Sequence, residues 1–195
     1  PTHFTIYDAD DAKSVIKTVI NELNLDDKHY KPNIVLSRIS GAKNALVSAA
    51  DYANDYYIQQ EDMRSNRPAI GQIFAAYVNR CFKNGAMDFD DLLLHPLTLF
   101  DRHPERLEAY RRKFAFVLVD EFQDTDPIQN ELVRAIGGDV PGKLFIVGDP
   151  KQSIYGFRRA DIEAYLAVTD KIIKTQNGIE CQLVTNFRSH RNILN

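Results

Sequence analysis

Val117-Leu118-Val119-Asp120-Glu121 is an apolar run that ends in two carboxylates. If the run is a strand of a parallel sheet, both acids stand at its carboxyl edge, where open α/β folds bind ligands. In a nucleoside-triphosphate site, the first carboxylate would hold Mg²⁺, directly or through water. The second would orient or deprotonate the attacking water. Taken alone, the pair reads better as a strand ending in a solvated acidic turn. A second apolar run leads into Gly148-Asp149-Pro150-Lys151-Gln152-Ser153-Ile154-Tyr155-Gly156-Phe157-Arg158-Arg159-Ala160-Asp161. Here Gln152 offers a neutral amide for a phosphate oxygen or a positioned water. Tyr155 and Phe157 are aromatics on a polar loop, beside Lys151, Arg158 and Arg159. Stacking faces with cations nearby suit a single-stranded nucleic acid. The same composition fits equally well with buried aromatics and arginines paired to Asp149 and Asp161. Thr185-Asn186-Phe187-Arg188-Ser189-His190-Arg191 comes last. Arg188 is placed to reach a transferred phosphoryl group, or, read alone, is a surface arginine at a strand end.

Bringing these segments together requires a parallel sheet with crossover helices. The second half of the chain has that rhythm. Phe114–Val119 and Leu144–Val147 read as strands buried on both faces, and Cys181–Val184 as a third short strand. Pro127–Ile136 and Asp161–Ile173 have helical spacing between them. Strands alternating with helices argue for a parallel sheet. The first half reads as helical. Val15, Ile16, Val19, Ile20 and Leu23 recur at helical spacing after the caps Asp8 and Asp11. Pro32 opens a second helix through Ile34, Val35, Ile39 and Ala42. Pro68 opens another, with Ile70, Ile73, Phe74, Tyr77 and Val78 on one stripe. Asp88 caps a helix carrying Leu92, Leu93, Leu97 and Phe100, and Pro104 starts one that ends near Phe114. The polar, Tyr-rich stretch Asp51–Met63 has no clear period.

In this order and spacing, the three chemical segments resemble those of the UvrD/Rep/PcrA family of superfamily 1 DNA helicases. Asp120-Glu121-Phe122-Gln123-Asp124 is similar to helicase motif II, Gly148 to Asp161 to motif III, and Asn186-Phe187-Arg188-Ser189 to motif IV. Phe4-Thr5-Ile6-Tyr7-Asp8, Ile34-Val35-Leu36-Ser37-Arg38-Ile39-Ser40 and Asp88-Phe89-Asp90-Asp91-Leu92-Leu93 are similar to the helical subdomain inserted in that family's first lobe. The resemblance implies an α/β fold, a partial RecA-like parallel-sheet lobe with an inserted all-helical subdomain. Residues 1–112 would be the insert and 113–179 the C-terminal part of the first lobe. Residues 180–195 would open the second lobe.

The resemblance also implies roles. Asp120 would serve Mg²⁺, and Glu121 would activate the hydrolytic water. Gln152 would sense the γ-phosphate of ATP. Tyr155 and Phe157 would stack on DNA bases, with Arg158 beside them. Phe187 would flank the adenine, and Arg188 would contact the γ-phosphate. Phe157 stands where several relatives carry Trp, and Arg159 where Gly is usual. The implied parent is an ATP-dependent 3′-to-5′ helicase of repair, replication or recombination. It would act on single-stranded DNA and duplex junctions in the bacterial cytosol or nucleoid. Two alternatives stand beside it: the motor of a RecB/AddA-like helicase–nuclease, and a non-catalytic nucleic-acid-binding module.

One part of such a motor has no match here. Gly137 to Gly142 followed by Lys143-Leu144 comes nearest to the phosphate-cradling Gly-x-x-x-x-Gly-Lys-Ser/Thr loop. Leu144 has no hydroxyl for Mg²⁺, and the segment precedes a strand instead of opening a helix, so it reads as a turn. The family places its loop upstream of Pro1 and its later motifs beyond Asn195. The chain is therefore expected to be an internal piece, inactive on ATP by itself, with an exposed sheet edge.

The remaining features are ordinary. The 195 residues are 44% hydrophobic and 26% charged, which excludes disordered and coiled-coil classes. With 24 basic and 27 acidic residues, net charge −3, any nucleic-acid site must be a local patch. Two cysteines, Cys81 and Cys181, form no disulfide framework and fit a reducing cytosol. No run is long enough to cross a membrane, and no signal peptide is visible. Asp88, Asp90 and Asp91 read as helix-capping acids in preference to a metal cluster. Cys81 reads as core, and Arg111-Arg112-Lys113 as a solvated helix end.

Overall fold

The computed structural model describes residues 3–138, 140–152 and 162–183. Most helices begin where a short polar side chain can accept the orphan N–H groups of a first turn. Asp8 does this for α1 (Ala9–Glu22), Ser48 for α3 (Ala49–Asn54) and Asp55 for α4 (Tyr56–Arg64). The helix α2 (Pro32–Asn44) instead begins on proline, which has no N–H to satisfy. Two helices thus fill the Tyr-rich stretch that shows no period. They are short, and their start signals were the caps alone. The next helix, α5 (Ile70–Lys83), begins two residues beyond Pro68, with Ala69 at its cap position.

The apolar stripes of α1, α2, α3 and α5 meet in one core. Ile16, Ile20, Val35, Ile39, Ile73 and Tyr77 there have no exposed surface. Cys81 belongs to this core, and burial pushes its thiol pKa up. Beside it, Arg38 donates to Tyr52 Oη at 3.0 Å and pairs with Glu61 at 2.6 Å, while Tyr52 donates to Asp62 at 2.8 Å.

The helical region also contains strands, which corrects the expectation of an all-helical insert. β1 (Thr5–Tyr7) pairs in parallel with β2 (Ala86–Asp88), joining the first residues to the far end of α5. Three-residue strands are too short to impress an alternation on the sequence. Asp88 then ends β2 and caps α6 (Phe89–Arg102), and α7 (Pro104–Lys113) follows.

Beyond α7, β3 (Val117–Val119) runs into a short 3-10 turn (Phe122–Asp124). The crossover helix α8 (Pro127–Gly137) returns the chain to β4 (Leu144–Ile146), which pairs with β3 in parallel. Asp126 and Gln129 form a reciprocal cap at the start of α8. α8 packs on α6 and α7, and Arg111 Nε donates to Ala135 O at 2.8 Å. After β4 come a 3-10 turn (Pro150–Gln152) and α9 (Ile162–Thr175).

Two strand expectations need correction. Leu118 and Phe145, opposite each other in the β3–β4 register, are 67% and 61% exposed, and Phe116 is 80% exposed. These strands are apolar on both faces, but α8 covers only one, and no described element lies over the other. Residues 181–183 form no strand, and nothing described pairs with them. Among the described residues, no helix is long and apolar enough to cross a membrane.

Candidate functional site

Parallel pairing puts the ends of β3 and β4 at one edge of the sheet, so the segments after them are neighbours. Val147 N donates to Val119 O at 2.8 Å, and Phe122 N donates to Val147 O at 3.0 Å. Val147, one residue past β4, thus ties the end of β3 and the turn three residues beyond it to the β4 exit. Asp120 and Glu121 both face solvent there. Asp120 Oδ1 accepts from Glu121 N at 2.9 Å. Glu121 lies in the left-handed region, with φ 51° and ψ 38°. That conformation is uncommon outside glycine and asparagine and gathers at functional sites. It turns the chain sharply, so that Phe122 and Gln123 plunge into the interior while the acids stay outside.

Gln123 is 2% exposed and touches both loops. Its Nε2 donates to Glu121 Oε2 at 2.6 Å, and its Oε1 accepts from Asp149 N at 3.1 Å. On the β4 side, Asp149 caps the 3-10 turn. Its carboxylate accepts from Lys151 N at 3.0 Å and from Gln152 Nε2 at 3.1 Å. These bonds hold the Asp149 carboxyl below the usual carboxylate range. Tyr165, from α9, donates to Gly148 O at 3.3 Å and packs its ring 5.7 Å from that of Phe122. Thr125 donates to Phe122 O at 2.7 Å and closes the turn.

The arrangement presents two solvent-facing carboxylates and one amide, Gln152, on adjacent loops at a carboxyl sheet edge. Asp124 has a buried carboxylate oxygen, Oδ1, with no hydrogen-bond partner. The carboxylate oxygens of Asp120 and Glu121 are of the kind that suits a hard divalent cation such as Mg²⁺, although among the described residues no three acids, histidines or cysteines are grouped to hold a metal ion by themselves. Asp120, Glu121 and Gln152 are therefore gathered on neighbouring loops. Tyr155, Phe157, Arg158, Arg159, Phe187 and Arg188 lie outside the described residues. Sequence reasoning gave Gln123 no role of its own, although it lies inside the segment similar to motif II. A glutamine among acids looks solvated until the turn at Glu121 buries it.

Lys143, nearest to a phosphate-loop lysine in the sequence, is buried and donates to Arg111 O. Gly142, at φ 75°, belongs to the turn into β4. Gly137 ends α8 and residues 141–143 form the turn into β4, so Lys143 precedes a strand and opens no helix, as expected. The acids Asp88 and Asp91 form a reciprocal helix cap, as expected, but they do more. Lys43, 2% exposed, places its Nζ 2.7 Å from Asp88 Oδ2 and 2.6 Å from Asp91 Oδ1. Tyr77 donates to Asp88 Oδ2 at 2.8 Å. Burial opposes the charge on Lys43, but the two carboxylates outweigh it and raise its pKa. Burial likewise opposes the charge on Asp88, and Lys43 outweighs it and lowers that pKa.

The family model described as "UvrD/REP helicase N-terminal domain" matches residues 1–173. A protein of Staphylococcus epidermidis named "ATP-dependent DNA helicase PcrA" is 38% identical over 99% of this chain. A Staphylococcus aureus protein of the same name is 39% identical over 99%. The chain spans 25% of the length of these curated relatives.

Proposed function

Since the chain belongs to the UvrD/REP helicase family, we propose that it supplies part of an ATP-driven motor that moves 3′ to 5′ along single-stranded DNA and opens duplexes. The proposed division places the helical insert at residues 1–112. The closing part of the first RecA-like lobe would be 113–179, and the start of the second 180–195. The observation that supports the reading is the meeting of the β3 and β4 loops. Asp120 and Glu121 leave one strand, Gln152 follows its neighbour, and Gln123 bonds to both loops.

Each residue then has a task. Asp120 would hold Mg²⁺, whose contribution when bound would be to neutralise charge on the terminal phosphates. Glu121 accepts the proton of the attacking water. Gln152 donates its amide to the γ-phosphate region. Tyr155 and Phe157 stack on bases with Arg158 against the backbone phosphates. Phe187 flanks the adenine, and Arg188 approaches the γ-phosphate from the second lobe. The cytosol is the compartment that fits. Repair and replication are the settings where such a motor meets single strands and junctions.

The test is unwinding by the full-length protein. A duplex with a 3′ single-stranded tail should open in the presence of ATP and Mg²⁺, and one with only a 5′ tail should not. Failure on the 3′ tail, or equal action on both, would refute the proposed motor. A second expectation concerns the 195 residues alone. Without a phosphate loop they should show no DNA-stimulated ATP turnover, and measurable turnover in a phosphate-release assay would contradict that.

A further inference from the structure

We propose that Gln123 is a positioning residue of this site, a buried clip that sets the Glu121 carboxylate and the loop after β4 at a fixed distance from each other. The proposal rests on the motor reading for its kinetic consequence, but its geometry is independent of it. A side-chain amide is suited to the task because it donates and accepts at once and carries no charge. Gln123 uses both ends. Nε2 holds Glu121 Oε2 at 2.6 Å, and Oε1 holds Asp149 N at 3.1 Å. An ionised carboxylate in its place could not donate to Glu121 and would repel it. An apolar residue could serve neither partner and would leave the Asp149 N–H without its acceptor.

The surroundings are shaped for this side chain. A Cβ added at Gly148 would stand 2.6 Å from Gln123 Oε1, 3.2 Å from Tyr165 Cε2 and 3.3 Å from Gln123 N. Only glycine leaves room for the amide oxygen at this approach. Phe122, the neighbour of Gln123, is 1% exposed and bonded through its N–H to Val147 O, which anchors the clip from below. Movement of the β4 loop, which leads into the segment with Gln152 and the aromatics, is thereby transmitted to Glu121 through one side chain.

Three variants of the full-length protein test this. In Gln123→Glu, which keeps size and the acceptor, kcat for DNA-stimulated ATP hydrolysis should fall at least about tenfold. That is the kinetic equivalent of one hydrogen bond to a charged group. KM for ATP should be unchanged, while the thermal midpoint should fall, because the new carboxylate is buried against that of Glu121. Gln123→Leu and Gly148→Ala should lose kcat similarly. They should also speed hydrogen exchange at the Asp149 amide, which Gln123→Glu should leave protected. Exchange is read without turnover, so it reports on the clip even if the protein hydrolyses no ATP. An unprotected Asp149 amide in the unsubstituted protein would overturn the proposal. So would wild-type kcat in Gln123→Glu. Inactivity of the unsubstituted protein with Asp149 protected would sink the motor reading and leave the clip standing.

Discussion

Glu121→Gln in the full-length protein should reduce ATP turnover at least about a hundredfold, the lower end for loss of a general base, with nucleotide binding retained. The substitution is isosteric. Its amide removes the one proton acceptor that the β3 loop turns outward beside Asp120. The backbone at this position, already in the left-handed region, is no more strained by glutamine than by glutamate. Gln123 would face an amide oxygen in place of Oε2 and could still donate to it. Binding therefore has no reason to fail, and only the chemical step should. Fluorescent-nucleotide titration and single-turnover hydrolysis separate the two. Turnover near the unsubstituted rate would remove Glu121 from its assigned role.

Lys43→Met should cost about 3–5 kcal/mol of stability, the usual consequence of stranding one side of a buried ion pair. Methionine fills much of the lysine volume, so the loss is electrostatic. Asp88 and Asp91 would remain buried and face each other across the α6 cap with no cation between them. Urea unfolding measures the cost. Adding Asp91→Asn should recover part of it, because one of the two uncompensated charges disappears. A cost below about 1 kcal/mol, the scale of an exposed pair, would show that the ion pair contributes little.

The same pair sets a pH window. The pKa of Asp88 is lowered in the folded chain, so its contribution is present above the ordinary aspartate value and fades as acid titrates it. That of Lys43 is raised, so its contribution is present below the ordinary lysine value and is lost as pH climbs past the folded one. The pair therefore supports the fold from about pH 4 to about pH 10.

What could be read from the string depended on range. Asp8 and Asp88 cap helices through groups two or three residues away, and such local bonds leave a spacing that can be seen. The stripe of Ile70, Ile73, Phe74 and Tyr77 is likewise local, and it is core. Lys43 offers no such mark. It occupies a helix position that solvent could equally have filled, and its burial depends on Asp88 and Asp91, 45 and 48 residues away. The chemical segments were legible by type and order. That Asp120, Glu121 and Gln152 share one edge follows from parallel pairing, whereas the part played by Gln123 follows from a single backbone turn. The strands β3 and β4 were found, but their burial was overstated. Apolar residues on both faces show what a strand can cover, and among the described elements α8 lies against one face while Leu118 and Phe145 stay exposed.

The left-handed turn at Glu121 sets two kinds of selection against each other. Glycine or asparagine would occupy that conformation more comfortably, by roughly 1 kcal/mol. A mutant library screened only for soluble, protease-resistant chains should therefore drift away from glutamate at position 121. A library screened for turnover should keep it. Anyone stabilising this protein by consensus or backbone-guided substitution would find position 121 among the most tempting to change, and under the proposed role of Glu121 the gain in robustness would come at the expense of turnover.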